Sequence, residues 1–202
     1  MSNPDEQTGA FREGITARRV EAFSDGVMAV IITLTAFEIR PPHGTDLAAL
    51  RHIMPSLLIY LLSFTYIGIY WNNHHHLMRR TERVDGAVMW ANLHLLFWLS
   101  LVPILTEWMA TNYKAVEPAT CYGIAALAAA FAYTLLVRTI VSANGGTGGE
   151  LAGSLGSDAK GRLSLGIYAL GVVLSFVTPY LAYGCYAAVA LMWFIPDRRL
   201  AT

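Results

Sequence analysis

The sequence predicts an all-α polytopic membrane protein with six transmembrane helices and both termini cytoplasmic. Composition, the lengths of the apolar stretches and the positions of the basic residues all point this way. The chain has 202 residues, of which 55% are hydrophobic and only 14% charged, with mean hydropathy +0.45. A soluble domain carries roughly a quarter charged residues, so lipid is the natural solvent for the apolar excess. Formal net charge is zero, and no basic or acidic excess points to a nucleic-acid partner. Cys121 and Cys185 both lie in apolar stretches and read as small buried hydrophobes. The mixed-charge N-terminus does not resemble a cleavable signal peptide.

A helix needs about 20 largely apolar residues to cross the hydrocarbon core. By that measure the first span covers about 20–39, ended by Pro41-Pro42, and the second about 53–71, with Pro55 near its start where proline is tolerated. The third, about 87–110, contains Pro103, and the fourth, about 119–142, is rich in the alanine that permits close helix packing. Residues 143–161 are rich in glycine and serine and read as a flexible connector. The last apolar region is too long for one helix. Pro179 near its middle divides it into spans of about 162–177 and 180–195, joined by a tight turn at Thr178-Pro179. A kinked single helix there, giving five spans, is the alternative.

Charge separates the two counts. With six spans and the N-terminus inside, Arg12, Arg18, Arg19, Arg79, Arg80, Arg83, Arg138, Lys160, Arg162, Arg198 and Arg199 share the cytoplasmic side. Only Arg40, Arg51 and Lys114 fall on the far side, so 11 of the 14 basic residues obey the positive-inside rule. Five spans would strand Arg198 and Arg199 outside. Trp71, Trp90, Trp108 and Trp193 fall near span ends, where amphipathic rings suit the headgroup region, whereas mid-span Trp98 reads as packed between helices. The expectation is a single multi-pass domain over 1–202 in the cell membrane, with no internal repeat.

The first span holds the most informative residues. Arg19, Glu21, Ser24 and Asp25 are polar groups at or just inside a membrane boundary, where ionisable side chains face a cavity or a protein partner. At about 100° per residue, Thr33, Leu34 and Phe37 fall within roughly 60° of Val30, and Ser24 and Asp25 about 120–140° away. One face is therefore free to meet an axis while the other is tied to neighbouring helices. Taken alone, such a stripe is more often lipid-facing or helix-packing filler than a pore wall.

Arg19, Phe23, Ser24 and Asp25 form the pattern R-x-x-x-F-S-D at the cytoplasmic start of the first span. This pattern resembles the signature of the transmembrane protein 175 family of potassium channels. Trp71-Asn72-Asn73-His74-His75-His76, closing the second span, is a second point of similarity. The resemblance implies a homotetramer in the lipid bilayer, with the first helix of each subunit lining a pore for monovalent cations and no cofactor beyond permeant K+. It implies a hydrophobic constriction at Val30, a threonine layer at Thr33 and further apolar layers at Leu34 and Phe37. Family members usually carry a larger aliphatic at the first layer and a leucine-like residue at the last, where this chain has valine and phenylalanine; the smaller ring at Val30 implies a wider or leakier pore with weaker potassium selectivity. A ring of apolar side chains gates by dewetting and does not replace an ion's hydration shell as a carbonyl filter does. No T-V-G-Y-G-like segment is present, so modest selectivity is expected.

Arg19, Phe23, Ser24 and Asp25 are expected to hold the first helix in the bundle, with Trp71, His74, His75 and Asn92 as candidate donors to Asp25 near the same membrane face. Binding of permeant cations by Asp25 is the other reading. Three adjacent histidines point about 100° apart on a helix and cannot converge on one ion, and no cysteine or carboxylate run beside them adds ligands, so no metal site is expected. A pH-sensing role for them is open. Glu107 and Glu117 beside Lys114 read as solvated far-side charges, and Ser154 and Ser157 as linker rather than nucleophiles. No G-x-S-x-G, Walker-type or H-E-x-x-H pattern points to an enzyme. The rivals to a channel are a secondary or proton-coupled cation transporter, disfavoured because the ionisable groups sit at span ends, and a membrane enzyme built on the histidines.

Overall fold

The computed structural model describes residues 4–42, 44–155 and 159–194. Arg198, Arg199, Ser157 and the last residue of the expected sixth span, Ile195, lie outside the described residues. All regular structure among the described residues is helical: α1 (Pro4–Phe37), α2 (Leu47–Arg79), α3 (Gly86–Ser100), α4 (Val102–Thr111), α5 (Val116–Ala143), α6 (Glu150–Leu155), α7 (Ala159–Ser175) and α8 (Pro179–Phe194). A 3-10 turn spans Gly146–Gly148.

Among the described residues, four segments are long and apolar enough to cross a membrane: Ala17–Phe37, Ala49–Arg79, Gly86–Thr111 and Val116–Ala143. The helices α7 and α8, of 17 and 16 residues, are shorter. They are separated where expected, since α7 stops at Ser175 and Pro179 begins α8. Proline suits a helix's first turn because its missing N–H has no partner there.

Several elements depart from the sequence expectations. Helix α2 begins at Leu47 rather than near residue 53, because the Asp46 side chain caps it by accepting from the Ala49 N–H at 2.9 Å. Pro55 therefore lies inside the helix rather than near its start. The third span is two helices broken at Leu101, where Pro103 removes a backbone donor in the first turn of α4. Residues 143–161, expected to be a flexible connector, include the Gly146–Gly148 turn, α6 and the start of α7. Gly145 and Gly146 turn the chain there with φ of 96° and 67°, a left-handed conformation that favours glycine. Asn144 at the end of α5 holds the α2–α3 loop, accepting from the Glu82 and Arg83 N–H groups at 3.1 and 2.8 Å and donating to the Arg83 carbonyl at 3.1 Å.

Helix α1 packs on α2, α3 and α4; α5 packs on α3, α4, α7 and α8; and α7 and α8 form a tight hairpin. Polar side chains tie the interior. Ser63 of α2 bonds Thr106 of α4 at 2.8 Å and Tyr122 of α5 at 3.1 Å. Tyr186 of α8 donates to the Ala119 carbonyl at 2.9 Å. In a medium without water such bonds replace solvent as the partner of each polar group. Large apolar side chains such as Leu58, Phe97, Phe131, Leu170 and Leu191 remain exposed on the outside, as suits a lipid-facing bundle. Trp98 is partly buried against the hydrophobic core and donates to His94 of the same helix at 3.0 Å.

The Tyr186 ring lies against two glycines, Gly123 of α5 and Gly171 of α7. A Cβ at Gly123 would overlap the Tyr186 hydroxyl and stand 2.9 Å from Val172 Cγ2. Because Tyr186 is buried and hydrogen-bonded, it has little room to swing aside. Gly123→Ala is therefore expected to destabilise the bundle by about 1–2 kcal/mol. A thermal melt of the detergent-solubilised variant against wild type checks this, and an unchanged midpoint would mean that the α5–α8 contact relaxes freely.

Candidate pore helix and its anchoring network

Helix α1 has two faces of different character. Ser24, Met28, Ile31 and Thr35 recur at helical spacing and are buried against α2, α3 and α4. On the other side Val30 is 55% exposed, Leu34 48% and Phe37 84%, with Thr33 exposed between them. The four residues expected on one stripe therefore share an open face of the chain. Thr33 Oγ1 donates to the Val30 carbonyl at 2.8 Å or the Ala29 carbonyl at 3.2 Å. With its proton committed to the backbone, the hydroxyl offers oxygen lone pairs outward.

The buried face is fixed at its N-terminal end by a directed chain of hydrogen bonds. Ser24 Oγ donates to the Val20 carbonyl at 2.8 Å, so it accepts from Asn92 Nδ2 of α3 at 2.9 Å. With its nitrogen facing Ser24, Asn92 turns its Oδ1 to His74 Nε2 of α2, 2.8 Å away. An amide oxygen only accepts, so His74 carries its proton on Nε2. Ser24, Asn92 and His74 are each almost fully buried, and three helices meet at this one chain.

Beside it lies a second cluster. Glu21 Oε1 is 2.8 Å from His75 Nδ1, and the His75 ring stacks on Trp71 with centroids 6.1 Å apart and planes 20° from parallel. Asp25 stands one helical turn beyond Glu21, and ligand atoms of Glu21, Asp25 and His75 all lie within 4.8 Å of one another. Asp25 Oδ1 is shielded from solvent and has no hydrogen-bond partner.

This corrects the expected network in one respect. Asn92 and His74 bond toward Ser24, His75 pairs with Glu21, and Trp71 is 45% exposed and stacks on His75. None of these four residues satisfies Asp25 Oδ1. The short Ser24 side chain reaches α3 directly because it points into the three-helix junction, one position before Asp25. Glu21 was visible in sequence only as a boundary charge; its four-residue spacing from Asp25, which puts both on one side of α1, was the signal that could have linked them. Arg19 and Phe23 face outward instead of into the bundle. With Val20, Met89, Asn92 and Leu93 they line an open cleft of about 450 Å³ between α1 and α3.

Comparisons with known proteins agree with this architecture. The sequence profile of the family described as endosomal/lysosomal potassium channel TMEM175 matches residues 19–103, which include the whole pattern from Arg19 to Asp25. A potassium channel of Chryseobacterium sp. is 48% identical over 92% of this chain and 96% of its own length. A potassium channel of Streptomyces collinus is 32% identical over 87% of this chain and 90% of its own. The crystal structure of a lysosomal potassium-selective channel TMEM175 homolog from Chamaesiphon minutus superposes with a TM-score of 0.79 at 28% identity, covering 91% of this chain and 98% of that one. The human endosomal/lysosomal proton channel TMEM175 is 31% identical over 46% of this chain and 21% of its own length.

Fold and site together define a helical membrane protein whose first helix is bound to the bundle along one face and bare along the other. The chain belongs to the TMEM175 family, whose members are ion channels and not enzymes.

Proposed function

We propose that the chain forms a potassium-preferring cation channel in the cell membrane, with four copies arranged around their α1 helices. The observation that carries this reading is the bare stripe of Val30, Thr33, Leu34 and Phe37 on a helix whose opposite face is locked to three neighbours. In a tetramer these side chains form stacked rings. Val30 is the first constriction, Thr33 a ring of hydroxyl oxygens able to meet a partly dehydrated cation, and Leu34 and Phe37 an apolar neck that sheds water when narrow. Conduction needs no cofactor; potassium is the permeant ion. The potassium channels of Chryseobacterium and Streptomyces, similar over nearly the full chain, support this choice of ion.

Six crossings, both termini inside and a single channel domain complete the proposal. At about 1.5 Å per residue, α7 and α8 each rise about 25 Å against a core of about 30 Å, so they cross with the help of adjoining residues or a locally thinned bilayer. The open cleft at Arg19 and Phe23 is where an adjacent subunit is proposed to pack, giving those two motif residues a role between copies.

The test is ion flux into liposomes holding the purified protein, under potassium, caesium, sodium and pH gradients, with Val30→Asn alongside. Potassium flux exceeding sodium flux several-fold, with the ratio lowered by the substitution, is the expected result. Flux that saturates and depends on a second gradient would favour a coupled transporter, and dominant proton flux would align the chain with the vertebrate relatives.

A further inference from the structure

We propose that Glu21, Asp25 and His75 form a binding site for a divalent transition-metal ion, zinc above all, that fastens α1 to α2 near the cytoplasmic face. Three observations meet here. The donors come from two helices, two carboxylates one turn apart on α1 and an imidazole on α2, with ligand atoms within 4.8 Å of one another. The His75 ring is held by stacking on Trp71, with Nδ1 directed at Glu21. Asp25 Oδ1 is shielded and has no hydrogen-bond partner, so this carboxylate keeps a lone-pair capacity that the protein does not satisfy.

The dimensions suit a small ion. Donors around tetrahedral zinc, with metal–ligand distances of about 2.0–2.2 Å, stand about 3.3 Å apart. The Glu21–His75 separation of 2.8 Å must open by about half an ångström and every other pair close by at most about 1.5 Å, movements within the reach of carboxylate rotamers. Side-chain exposures of 34% for His75 and 18% for Glu21 leave the site open to entry. One imidazole nitrogen and two carboxylates favour zinc and its neighbours over magnesium and calcium, which prefer all-oxygen cages. A filled site adds a crosslink beside the Ser24–Asn92–His74 chain and so restrains the proposed pore helix. That consequence for flux rests on the channel reading, whereas metal binding does not.

The experiment is calorimetric titration of the chelator-treated, detergent-solubilised full chain, purified with a tag free of histidine, using zinc chloride and, separately, magnesium chloride. One zinc per chain is expected, with magnesium undetected. His75→Gln and Glu21→Gln should weaken zinc binding at least tenfold and Asp25→Asn several-fold, while His76→Gln leaves it intact. Zinc-free circular dichroism and elution volume, matching wild type, establish that each variant is folded. Wild-type protein taking up less than one-tenth of an equivalent would overturn the site, a result that needs no variant. Equal losses in His76→Gln and His75→Gln would also overturn it, reducing the binding to surface chelation by the histidine run. Flux measured on the same preparations separates the two readings: zinc bound without flux in any gradient counts against the channel alone, and flux without zinc binding counts against the site alone.

Discussion

Lysine at position 34 is expected to abolish cation flux while leaving the protein folded and assembled. Leu34 sits one position beyond Thr33 on the bare face of α1, 48% exposed in the single chain. In the proposed tetramer, four ammonium groups would crowd the axis. A cation passing about 5 Å from one of them at an effective dielectric of about 20 meets on the order of 3 kcal/mol of repulsion. Even with two-thirds of the summed repulsion relieved by rotation and screening, about 4 kcal/mol remains, roughly a thousandfold in rate. The volume-conserving Leu34→Met should keep flux within a few-fold of wild type. Were the stripe lipid-facing, the lysine would instead snorkel toward a headgroup and leave conduction elsewhere undisturbed. Potassium flux in Leu34→Lys within twofold of wild type would therefore remove α1 from the permeation path.

How much of this was legible in sequence follows from the range over which each feature acts. The spacing of Val30, Thr33, Leu34 and Phe37 is local to one helix and depends only on its 3.6-residue period, so their shared face is legible in the sequence, whereas its exposure depends on the packing of the other helices. The Pro179 break is equally local, since proline is disfavoured in a helix interior and suits the first turn. The Ser24–Asn92 bond joins residues 68 positions apart, and nothing near Asn92 marks it as the partner of one particular polar group on α1. Four polar side chains fall near one membrane face in the sequence, and Asp25 offers all of them a charged acceptor. The Ser24 hydroxyl and the Glu21 carboxylate are the acceptors within their reach. Helix lengths were underread for a different reason. Hydropathy marks where lipid begins, but hydrogen-bonded caps mark where a helix begins, and Asp46 starts α2 before the apolar stretch does.

The same three-residue chain supports the second large effect. Asn92→Leu is expected to destabilise the protein by about 2–3 kcal/mol, because it strands the His74 Nε2 donor in a buried site and removes the donor that Ser24 accepts from. Ser24 is the less affected partner, as its own proton remains on the Val20 carbonyl. His74 has no such fallback, since its Nδ1 already lacks a partner. The larger cost is thus the unpaired imidazole rather than the lost bond itself, and a double-mutant cycle separates the two. His74→Met in the Asn92→Leu background exchanges the stranded donor for an apolar side chain and should recover at least 1 kcal/mol, read as a higher thermal midpoint for the double variant than for Asn92→Leu alone. Polar pairs between membrane helices measured this way average about 0.6 kcal/mol and reach about 1.7 kcal/mol, so a coupling above 1 kcal/mol marks a bond sealed from water. A coupling near zero would mean that water or another group reaches His74 once Asn92 is gone. The anchoring of α1 would then rest on the packing of Met28, Ile31 and Thr35, and on the Glu21–His75 pair beside it.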